Sequence, residues 1–215
     1  LDIGGESTRP GYTRISDEEE ISRVAPVIEA LKKRFDIPLS VDTYKSGVAS
    51  AAIAAGADLI NDIWGLKADE KMAEVIAKAK LPSCLMHNRE TVEYNNFLED
   101  VVSDLQETLN IAKKAGISKD TIILDPGVGF AKNYEQNLAI TNHLEVLDTL
   151  GCPVLLGTSR KSMIGLTLDL PSDQREEGTM VTTVWAVQKG CMFVRVHNVQ
   201  ANVRAIKMAE ALLRN

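Results

Sequence analysis

The sequence predicts an α/β protein with parallel strands whose functional groups collect where the strands end. Seven short apolar segments occur along the 215 residues, and their polar and apolar residues do not alternate. This pattern is typical of parallel strands buried on both faces. A helical pattern follows each segment, which favours repeated βα units. The last four segments run into polar or glycine residues, in the stretches MHN, LDPGVGF, LGTSRKS and VRVHN.

The predicted strands are short and rich in branched apolar residues. They cover residues 1–3, 38–41, 59–61, 83–86, 122–124, 154–156 and 193–196. Apolar periodicity predicts helices over residues 18–35, 45–55, 69–80, 97–115, 135–150, 177–189 and 199–213. Ser16 and Glu19 form a capping-box pattern before the first helix. Glycines directly after four helices indicate left-handed C-terminal caps at Gly56, Gly116, Gly151 and Gly190.

This alternation fits either a (β/α)8 barrel or a doubly wound sheet. The sequence has no GxGxxG motif after its first strand, which disfavours a dinucleotide-binding sheet. A barrel usually takes about 250 residues, and one further βα unit before Leu1 would bring the chain close to that length. No linker or low-complexity segment interrupts the sequence, so we expect a single domain over residues 1–215 that holds barrel strands 2–8.

The composition excludes some function classes. The net charge of −6 disfavours a general nucleic-acid surface. No apolar run approaches the ~18 residues of a membrane span, and no secretory signal is visible. Cys84, Cys152 and Cys191 are far apart and odd in number, which predicts reduced, buried thiols in a cytoplasmic protein. No neighbouring residue supports a catalytic cysteine.

Short polar residues occur where three predicted strands end. Asp42, Asn61 and Asp125 each lie at such an end. A carboxylate there can accept two N–H donors, and an amide offers both a donor and an acceptor. The three together suit recognition of a flat heterocycle that is rich in hydrogen-bonding groups. Any one of them alone could instead be a helix cap or a turn residue.

Two glycine-containing turns extend this set. Gly127 and Gly129 permit unusual backbone dihedrals that would place Phe130 beside a ring, although such turns are common. In GTSRKS, residues 157–162, hydroxyls and cations at a helix start suit an anion site, within which Lys161 could reach a ring atom and Ser162 a carboxylate. The alternative for this segment is a solvated basic turn.

Arg195 and His197 lie two residues apart on the last predicted strand, so they share a face and could bind an anion such as diphosphate. A structural ion pair is the alternative for Arg195, because a charge in a buried strand needs a partner. Residues 4–11 form a loop after the first strand that carries Ser7, Thr8 and Arg9. Loops at this face often close over substrate, although an ordinary surface turn could have the same residue pattern.

These segments resemble, in order and along the whole chain, those of the dihydropteroate synthase family. The matching segments are DIGGESTRPG (2–11), SVDT (40–43), INDI (60–63), MH (86–87), LDPG (124–127), GTSRKS (157–162) and RVH (195–197). The resemblance implies a TIM barrel. It also implies a transferase of folate biosynthesis, the target of sulfonamides. Such an enzyme condenses 6-hydroxymethyl-7,8-dihydropterin diphosphate with p-aminobenzoate to give 7,8-dihydropteroate and diphosphate.

The resemblance also assigns residues. The implied pterin site comprises Asp42, Asn61, Met86, Asp125, Phe130, Gly157 and Lys161. The implied p-aminobenzoate site comprises Thr8, Arg9, Pro10 and Ser162, and the implied diphosphate site comprises Arg195 and His197. The catalytic residues would be Asp42, Asp125, Lys161, Arg195 and His197. A homodimer is implied, with residues 177–189 and 199–213 as interface candidates, although their apolar stripes could equally face the barrel.

Two features depart from the family pattern. The family's Asn-containing first loop, which helps to position Mg²⁺, would precede Leu1, so no metal ligand is expected within this sequence. The family usually has VHD at the last strand, where this sequence has Val196-His197-Asn198. We expect a dissociative substitution in which Asp42 and Asp125 stabilise a pterin cation. In it, Arg195, His197 and Mg²⁺ stabilise the departing diphosphate.

Two other functions are compatible with these residues. A pterin-binding methyltransferase that serves a corrinoid protein would share the barrel and the Asp, Asn and Asp pocket, but it would need no diphosphate site. A non-catalytic barrel that binds a folate or a partner subunit would show ligand binding without turnover. Release of diphosphate on addition of p-aminobenzoate distinguishes the predicted enzyme from both.

Overall fold

The computed structural model describes residues 1–7 and 13–214. The strands are β1 (Asp2–Gly4), β2 (Ser40–Asp42), β3 (Leu59–Asp62), β4 (Ser83–Met86), β5 (Ile122–Asp125), β6 (Leu155–Leu156) and β7 (Phe193–Val194). The α-helices are α1 (Asp17–Lys32), α2 (Ser46–Ala55), α3 (Met72–Ala79), α4 (Phe97–Ala115), α5 (Tyr134–Asn142), α6 (Ser162–Leu168), α7 (Glu176–Gln188) and α8 (Val199–Leu213). Short 3-10 helices cover Lys119–Thr121, Leu144–Leu150 and Ser172–Gln174.

The chain forms two compact units. The first contains Leu1–Asn88 and Asp104–Ile123, and the second contains Arg89–Ser103 and Leu124–Asn215. In the first unit, β1, β2, β3 and β4 pair side by side in chain order, and each pairing is parallel. In the second unit, β6 pairs with β7, also in parallel. The parallel pairing agrees with the sequence prediction, and the single domain stays a prediction.

The strand register of the first unit decides which side chains share a face. Asp42 is the register partner of both Gly4 and Asn61, and Asp2 is the partner of Ser40. Because side chains alternate along a strand, Asp2, Asp42 and Asn61 lie on the same face. Val41 and Ile60 occupy the opposite face and are wholly buried, so burial of apolar surface fixes the register that groups the polar residues.

Helix α1 begins at its predicted cap. The Ser16 side chain accepts a hydrogen bond from the Glu19 backbone N–H at 3.2 Å. Only this half of the predicted capping box forms, because the Glu19 carboxylate pairs with Arg23. Val24 and Ile28, on the predicted apolar stripe, are wholly buried. Their burial contributes roughly 1.5–3 kcal/mol each relative to exposure.

The predicted helix over residues 135–150 was wrong. Helix α5 ends at Asn142, and a 3-10 helix follows from Leu144. His143 therefore lies at an exposed break between the two, not in mid-helix. The Thr141 hydroxyl donates to the Asn137 carbonyl at 2.8 Å, and such local bonding by Thr and Asn competes with helix continuation.

The predicted burial of the three cysteines was wrong for two of them. Cys84 in β4 is buried, but Cys152 and Cys191 are half-buried, and all three are free thiols. Burial, followed by the negative charges of Asp125 and Asp148, raises the pKa of Cys191 to about 11. Its thiol is therefore protonated and unreactive at neutral pH. No helix among residues 1–7 and 13–214 has the length and apolar content needed to cross a membrane.

Candidate active site

The first unit brings Asp42 and Asn61 together at the ends of adjacent strands. Both side chains are half-buried and lie on the face that also carries Asp2. The Asn61 amide Nδ2 donates to Asp2 Oδ2 at 3.2 Å, and the Ser40 hydroxyl donates to Asp2 Oδ1. Because its N–H is committed to Asp2, the Asn61 amide is oriented. The sequence analysis did not predict a role for Asp2. The spacing of two residues between Asp2 and Gly4 on the first strand indicates that they share a face.

Met86 lies at the end of β4, where it is buried. It follows by two residues Cys84, the register partner of Asn61, so alternation places it on the same face as Asn61. The role of Met86 in a pterin site stays a prediction. The next residue, His87, is also buried, and its Nε2 lies 2.9 Å from Asp104 Oδ2. That pairing gives His87 a structural role in the first unit.

Asp62 ends β3 on the opposite face from Asn61 and has a structural role. Its carboxylate accepts hydrogen bonds from the backbone N–H of Trp64 at 2.9 Å and of Leu66 at 2.7 Å. Burial raises the pKa of Asp62 to about 6 despite these bonds. The side chain shapes the turn after β3, in which Leu66 has a left-handed φ of 71°.

In the second unit, Asp125 ends β5 and is buried among cations. Its Oδ1 accepts a hydrogen bond from the Gly127 backbone N–H at 2.7 Å. Burial raises the pKa of this carboxyl, and the charges of Lys161, Lys132 and Arg195 partly offset that effect. A buried carboxylate with such cations is poised to bind N–H donors and to stabilise positive charge on a ligand.

The turn after Asp125 has the predicted unusual backbone. Gly127 has a φ of 70° and Gly129 a φ of 86°, both in the left-handed region that favours glycine. Lys132 Nζ donates to the Gly127 and Phe130 carbonyls, each at 3.1 Å, and the Gly129 N–H donates to Asn137 Oδ1 at 2.6 Å. Sequence reasoning missed Lys132 and Asn137, which hold the turn, because no local pattern marks a buried cation or amide.

Lys161 lies beside Phe130 and Gly157. Its Nζ donates to the Val128 carbonyl and lies 4.9 Å from the centroid of the Phe130 ring. A Cβ on Gly157 would come within 3.7 Å of Asp125 Oδ2 and 3.9 Å of Lys161 Nζ. Glycine therefore leaves open the space beside the carboxylate and the ammonium group.

Helix α7 holds the loop between β6 and α6. The Arg160 N–H donates to Thr179 Oγ1 at 3.1 Å, and the Arg175 guanidinium donates to the Arg160 carbonyl at 3.0 Å. The Thr158 and Thr182 hydroxyls are 2.7 Å apart. These bonds support the left-handed φ of 58° at Arg160, a conformation that costs a non-glycine residue on the order of 1 kcal/mol.

Arg195 and His197 lie beyond the last strand, which corrects the prediction that Arg195 is part of it. Strand β7 ends at Val194, and both side chains are exposed. The Arg195 N–H donates to the Leu156 carbonyl at 3.2 Å, and its charge acts on the buried Asp125 carboxyl. His197 Nδ1 lies 2.7 Å from the Ser159 hydroxyl, a positioning contact that sequence reasoning missed. Asn198 caps α8 by accepting from the Ala201 N–H at 3.2 Å.

The predicted p-aminobenzoate residues Thr8, Arg9 and Pro10 lie outside the described residues. Ser162, the fourth, is the exposed first residue of α6. Within residues 1–7 and 13–214, no group of three or more His, Cys, Asp or Glu side chains could hold a metal ion.

Comparison with known proteins decides the family. Residues 1–197 match the sequence profile of the family described as pterin binding enzyme. Over 215 residues the chain is 60% identical to the dihydropteroate synthase of Clostridium beijerinckii, with 100% of this chain and 80% of that protein covered.

The chain belongs to the dihydropteroate synthase family.

Other members of the dihydropteroate synthase family are also similar to this chain in sequence and structure. The Bacillus subtilis enzyme is 55% identical over 213 residues, which cover 99% of this chain and 75% of that protein. The crystal structure of the Clostridium difficile enzyme in the presence of pteroic acid superimposes with a TM-score of 0.97 at 45% identity, covering 100% of this chain and 82% of that one. The structure of the Xanthomonas albilineans enzyme with 4-aminobenzoic acid superimposes with a TM-score of 0.95 at 42% identity, and the match covers 99% of this chain and 78% of that one.

These relatives confirm the predicted fold class and function. The fold is the α/β TIM-barrel type of the dihydropteroate synthases. The protein is a transferase that condenses 6-hydroxymethyl-7,8-dihydropterin diphosphate with p-aminobenzoate to give 7,8-dihydropteroate and diphosphate. The relatives therefore favour dihydropteroate synthase over the two alternatives, a corrinoid-dependent methyltransferase and a non-catalytic barrel.

Proposed function

We propose that the first unit binds the dihydropterin through Asp42 and Asn61, with Met86 forming an apolar wall. The observation that carries this proposal is the shared register of Asp42 and Asn61 on one face of the sheet. The Asp42 carboxylate would accept ring N–H donors, and the Asn61 amide, oriented by Asp2, would offer its oxygen to a further N–H. The fixed amide makes the site selective for one edge of the ring.

For the second unit, we propose that Asp125, Lys161, Phe130 and Gly157 bind the dihydropterin. Asp125 would accept ring N–H donors, and Lys161 would donate to a ring carbonyl or nitrogen. Phe130 would contact the ring, and Gly157 leaves the space in which it lies. The charges of Lys161, Lys132 and Arg195 partly offset the effect of burial on the pKa of Asp125, so they favour the ionised state that can accept two N–H bonds.

The proposed reaction is a dissociative substitution at the pterin methylene carbon. The CH2–O bond breaks first, and its electron pair leaves with the diphosphate. The electron-rich ring then carries a positive charge, which the Asp42 and Asp125 carboxylates stabilise. The p-aminobenzoate nitrogen attacks the methylene carbon, and the positively charged nitrogen that results gives one proton to solvent water. An arylamine is uncharged near neutral pH, so the site needs no strong general base.

Arg195 and His197 are the proposed diphosphate ligands. Both side chains are exposed just beyond β7, and two donors two residues apart suit an anion. Mg²⁺ stays a proposed cofactor, whose chemistry would be to neutralise charge on the diphosphate. Turnover should fall on addition of EDTA and return with excess Mg²⁺. Full activity in EDTA would remove the metal from the proposal.

Replacement of Asp125 by alanine tests the pterin site. The variant loses charge-assisted hydrogen bonds worth about 1.5–3 kcal/mol each, so affinity for a pterin ligand should fall roughly 100-fold. Isothermal titration of a full-length enzyme with 6-hydroxymethylpterin measures the effect. Asp120→Ala, which changes an exposed carboxylate before β5, is the matched control and should bind normally. An unchanged affinity in Asp125→Ala would remove this residue from the site.

The p-aminobenzoate site is proposed to comprise Thr8, Arg9 and Pro10 together with Ser162. Ser162 is the member that the structure describes, and its exposed hydroxyl at the start of α6 could donate to a carboxylate. Ser162→Ala should raise the KM for p-aminobenzoate several-fold, the loss of one such bond. The KM for the pterin substrate should stay constant, and equal effects on both would contradict the assignment.

We also propose a homodimer and a cytoplasmic location. Helices α7 and α8 expose apolar side chains, among them Val181, Val203 and Leu212. Exposed apolar residues on adjacent helices favour a protein interface. Light scattering should give a particle mass twice that of one protomer, to which this chain contributes 23.5 kDa. A monomer at micromolar concentration would contradict the dimer, and recovery of the enzyme outside the cytoplasmic fraction would contradict the location.

A further inference from the structure

Ser159 contacts His197 twice. Its hydroxyl oxygen lies 2.7 Å from His197 Nδ1 and accepts the His197 backbone N–H at 3.2 Å. We propose that Ser159 is a positioning residue: it holds the neutral His197 ring as the Nε2–H tautomer, so that Nε2 donates to the diphosphate. This inference rests on the proposed diphosphate role of His197.

The count of donors and acceptors gives the direction of the bond. A serine hydroxyl has one hydrogen to donate and two lone pairs. One lone pair of Ser159 already accepts the His197 backbone N–H. Among the described residues, the His197 ring nitrogen is the acceptor that the hydroxyl hydrogen can reach. Donation to Nδ1 satisfies that hydrogen within a buried environment, where leaving it unbonded would be costly.

Donation to Nδ1 has a consequence for the other ring nitrogen. A neutral imidazole carries one proton, so a ring that accepts at Nδ1 must carry its proton on Nε2. Nε2 can then donate to a phosphate oxygen whether the ring is neutral or charged. The opposite arrangement would present the lone pair of Nε2 to an anion, which is repulsive.

The backbone around Ser159 is rigid enough to fix this geometry. The preceding residue, Thr158, bonds through its hydroxyl to Thr182, and the following residue, Arg160, donates its N–H to Thr179. Both partners lie on α7, so the helix holds the residues on either side of Ser159. Asn198, which stands where the family usually has an aspartate, is committed to the α8 cap. Ser159 therefore supplies a contact that can orient the ring.

Nuclear magnetic resonance tests the tautomer directly. The sequence contains three histidines, so ¹H–¹⁵N long-range correlation spectra of the ring nitrogens can be assigned with His197→Gln. At a pH where the ring is neutral, the full-length wild-type enzyme should show an unprotonated Nδ1 and a protonated Nε2. In Ser159→Ala, the two nitrogens should share the proton. A protonated Nδ1 in the neutral wild-type ring would overturn the proposal without depending on any variant.

Steady-state kinetics supply a second readout. Ser159→Ala should raise the KM for the pterin diphosphate substrate roughly 3- to 10-fold, as expected for one weakened hydrogen bond. Its affinity for 6-hydroxymethylpterin, which lacks the diphosphate, should stay constant. Ser159→Thr keeps the hydroxyl and should restore both the KM and the wild-type ring spectrum. An equal loss of affinity for both ligands in Ser159→Ala would overturn the positioning role.

Different results would contradict the diphosphate role of His197 and the positioning role of Ser159. If His197→Gln leaves the KM for the pterin diphosphate unchanged, the diphosphate role of His197 is wrong, whatever the ring spectrum shows. If His197→Gln raises that KM and the neutral wild-type ring is protonated on Nδ1, the diphosphate role holds and the role of Ser159 is wrong.

Discussion

Replacing Lys45 with methionine should lower the free energy of unfolding by about 3–5 kcal/mol, the cost of removing one partner from a buried ion pair. Lys45 Nζ lies 2.8 Å from both Glu6 Oε2 and Glu20 Oε2. The side chain of Lys45 is 12% exposed, and those of Glu6 and Glu20 are 2% and 1% exposed. The variant would leave two buried carboxylates without their cation.

The remaining partners of this cluster cannot replace Lys45. Glu6 also accepts from the Tyr44 hydroxyl at 2.6 Å and from the Ile15 N–H at 2.7 Å, and both are neutral donors. Urea denaturation of the full-length protein, followed by circular dichroism, measures the change. Lys32→Met is the matched control, because its partner Asp58 is 41% exposed. Such a surface pair contributes about 0–1 kcal/mol, and an equal loss in both variants would contradict the argument.

The pH dependence of stability follows from the same cluster. Burial opposes ionisation of Glu6, but hydrogen bonds from Lys45, Tyr44 and Ile15 outweigh it and lower its pKa below 4.5. A lowered carboxyl pKa contributes stability that is present above pH 4.5 and is lost as the pH falls through the folded-state value. Hydrogen bonds from Glu20 and Glu6 likewise outweigh burial and raise the pKa of Lys45 above 10.5. Its contribution is present below pH 10.5 and is lost at higher pH.

Lys45→Met should reverse the acid side of this profile. Without the cation, burial, which favours the neutral form of Glu6, is opposed only by the hydrogen bonds from Tyr44 and Ile15. The variant should therefore gain stability relative to wild type as the pH falls from 7 toward 4.5. Urea midpoints measured at several pH values between these limits give the test, and parallel profiles for the two proteins would contradict it.

The second large effect is expected for Lys161→Met, which should lower kcat/KM by roughly 10²–10³-fold, as for loss of one preorganised polar group. Among the cations, Lys161 most strongly offsets the effect of burial on the pKa of Asp125. Its removal raises the pKa of Asp125 further, so the acid limb of kcat/KM for the pterin diphosphate should move to higher pH. Diphosphate release, measured from pH 5 to 9, reports both effects.

Two variants isolate the charge of Lys161. Lys161→Arg keeps the positive charge and should leave the acid limb near its wild-type position, even though the altered geometry lowers the rate. Lys114→Met changes an exposed lysine of α4 and should have wild-type kinetics. A normal kcat/KM in Lys161→Met would remove this residue from the proposed pterin site.

Much of the fold was predictable because its signals are local. Helix α4 and helix α8 begin and end at the predicted residues, and strand β4 has its predicted bounds. The four glycines predicted to follow helices all have positive φ, because only glycine adopts that conformation without strain. The break at His143 was not predictable from apolar periodicity, which continues from α5 through the 3-10 helix.

The positions of the candidate site residues were predictable in part for the same reason. The sequence placed Asp42, Asn61 and Asp125 at strand ends, because strand length and side-chain alternation follow from local residue patterns. The supporting residues Asp2, Lys132 and Ser159 were missed. Each contacts a residue that is distant along the chain or lies across a turn, and the amino-acid order does not show which donor meets which acceptor.

The sequence by itself determined the parallel βα pattern, the residue types at the strand ends and the family, because these depend on periodicity and on motifs. Only the tertiary structure decided that Asp42 and Asn61 are register partners, that Lys45 joins two buried carboxylates, and that Ser159 contacts the His197 ring. Hydrogen bonds and buried charges depend on distances of a few ångströms between residues far apart in the chain. Packing sets those distances, and the sequence specifies packing only through the folded protein as a whole.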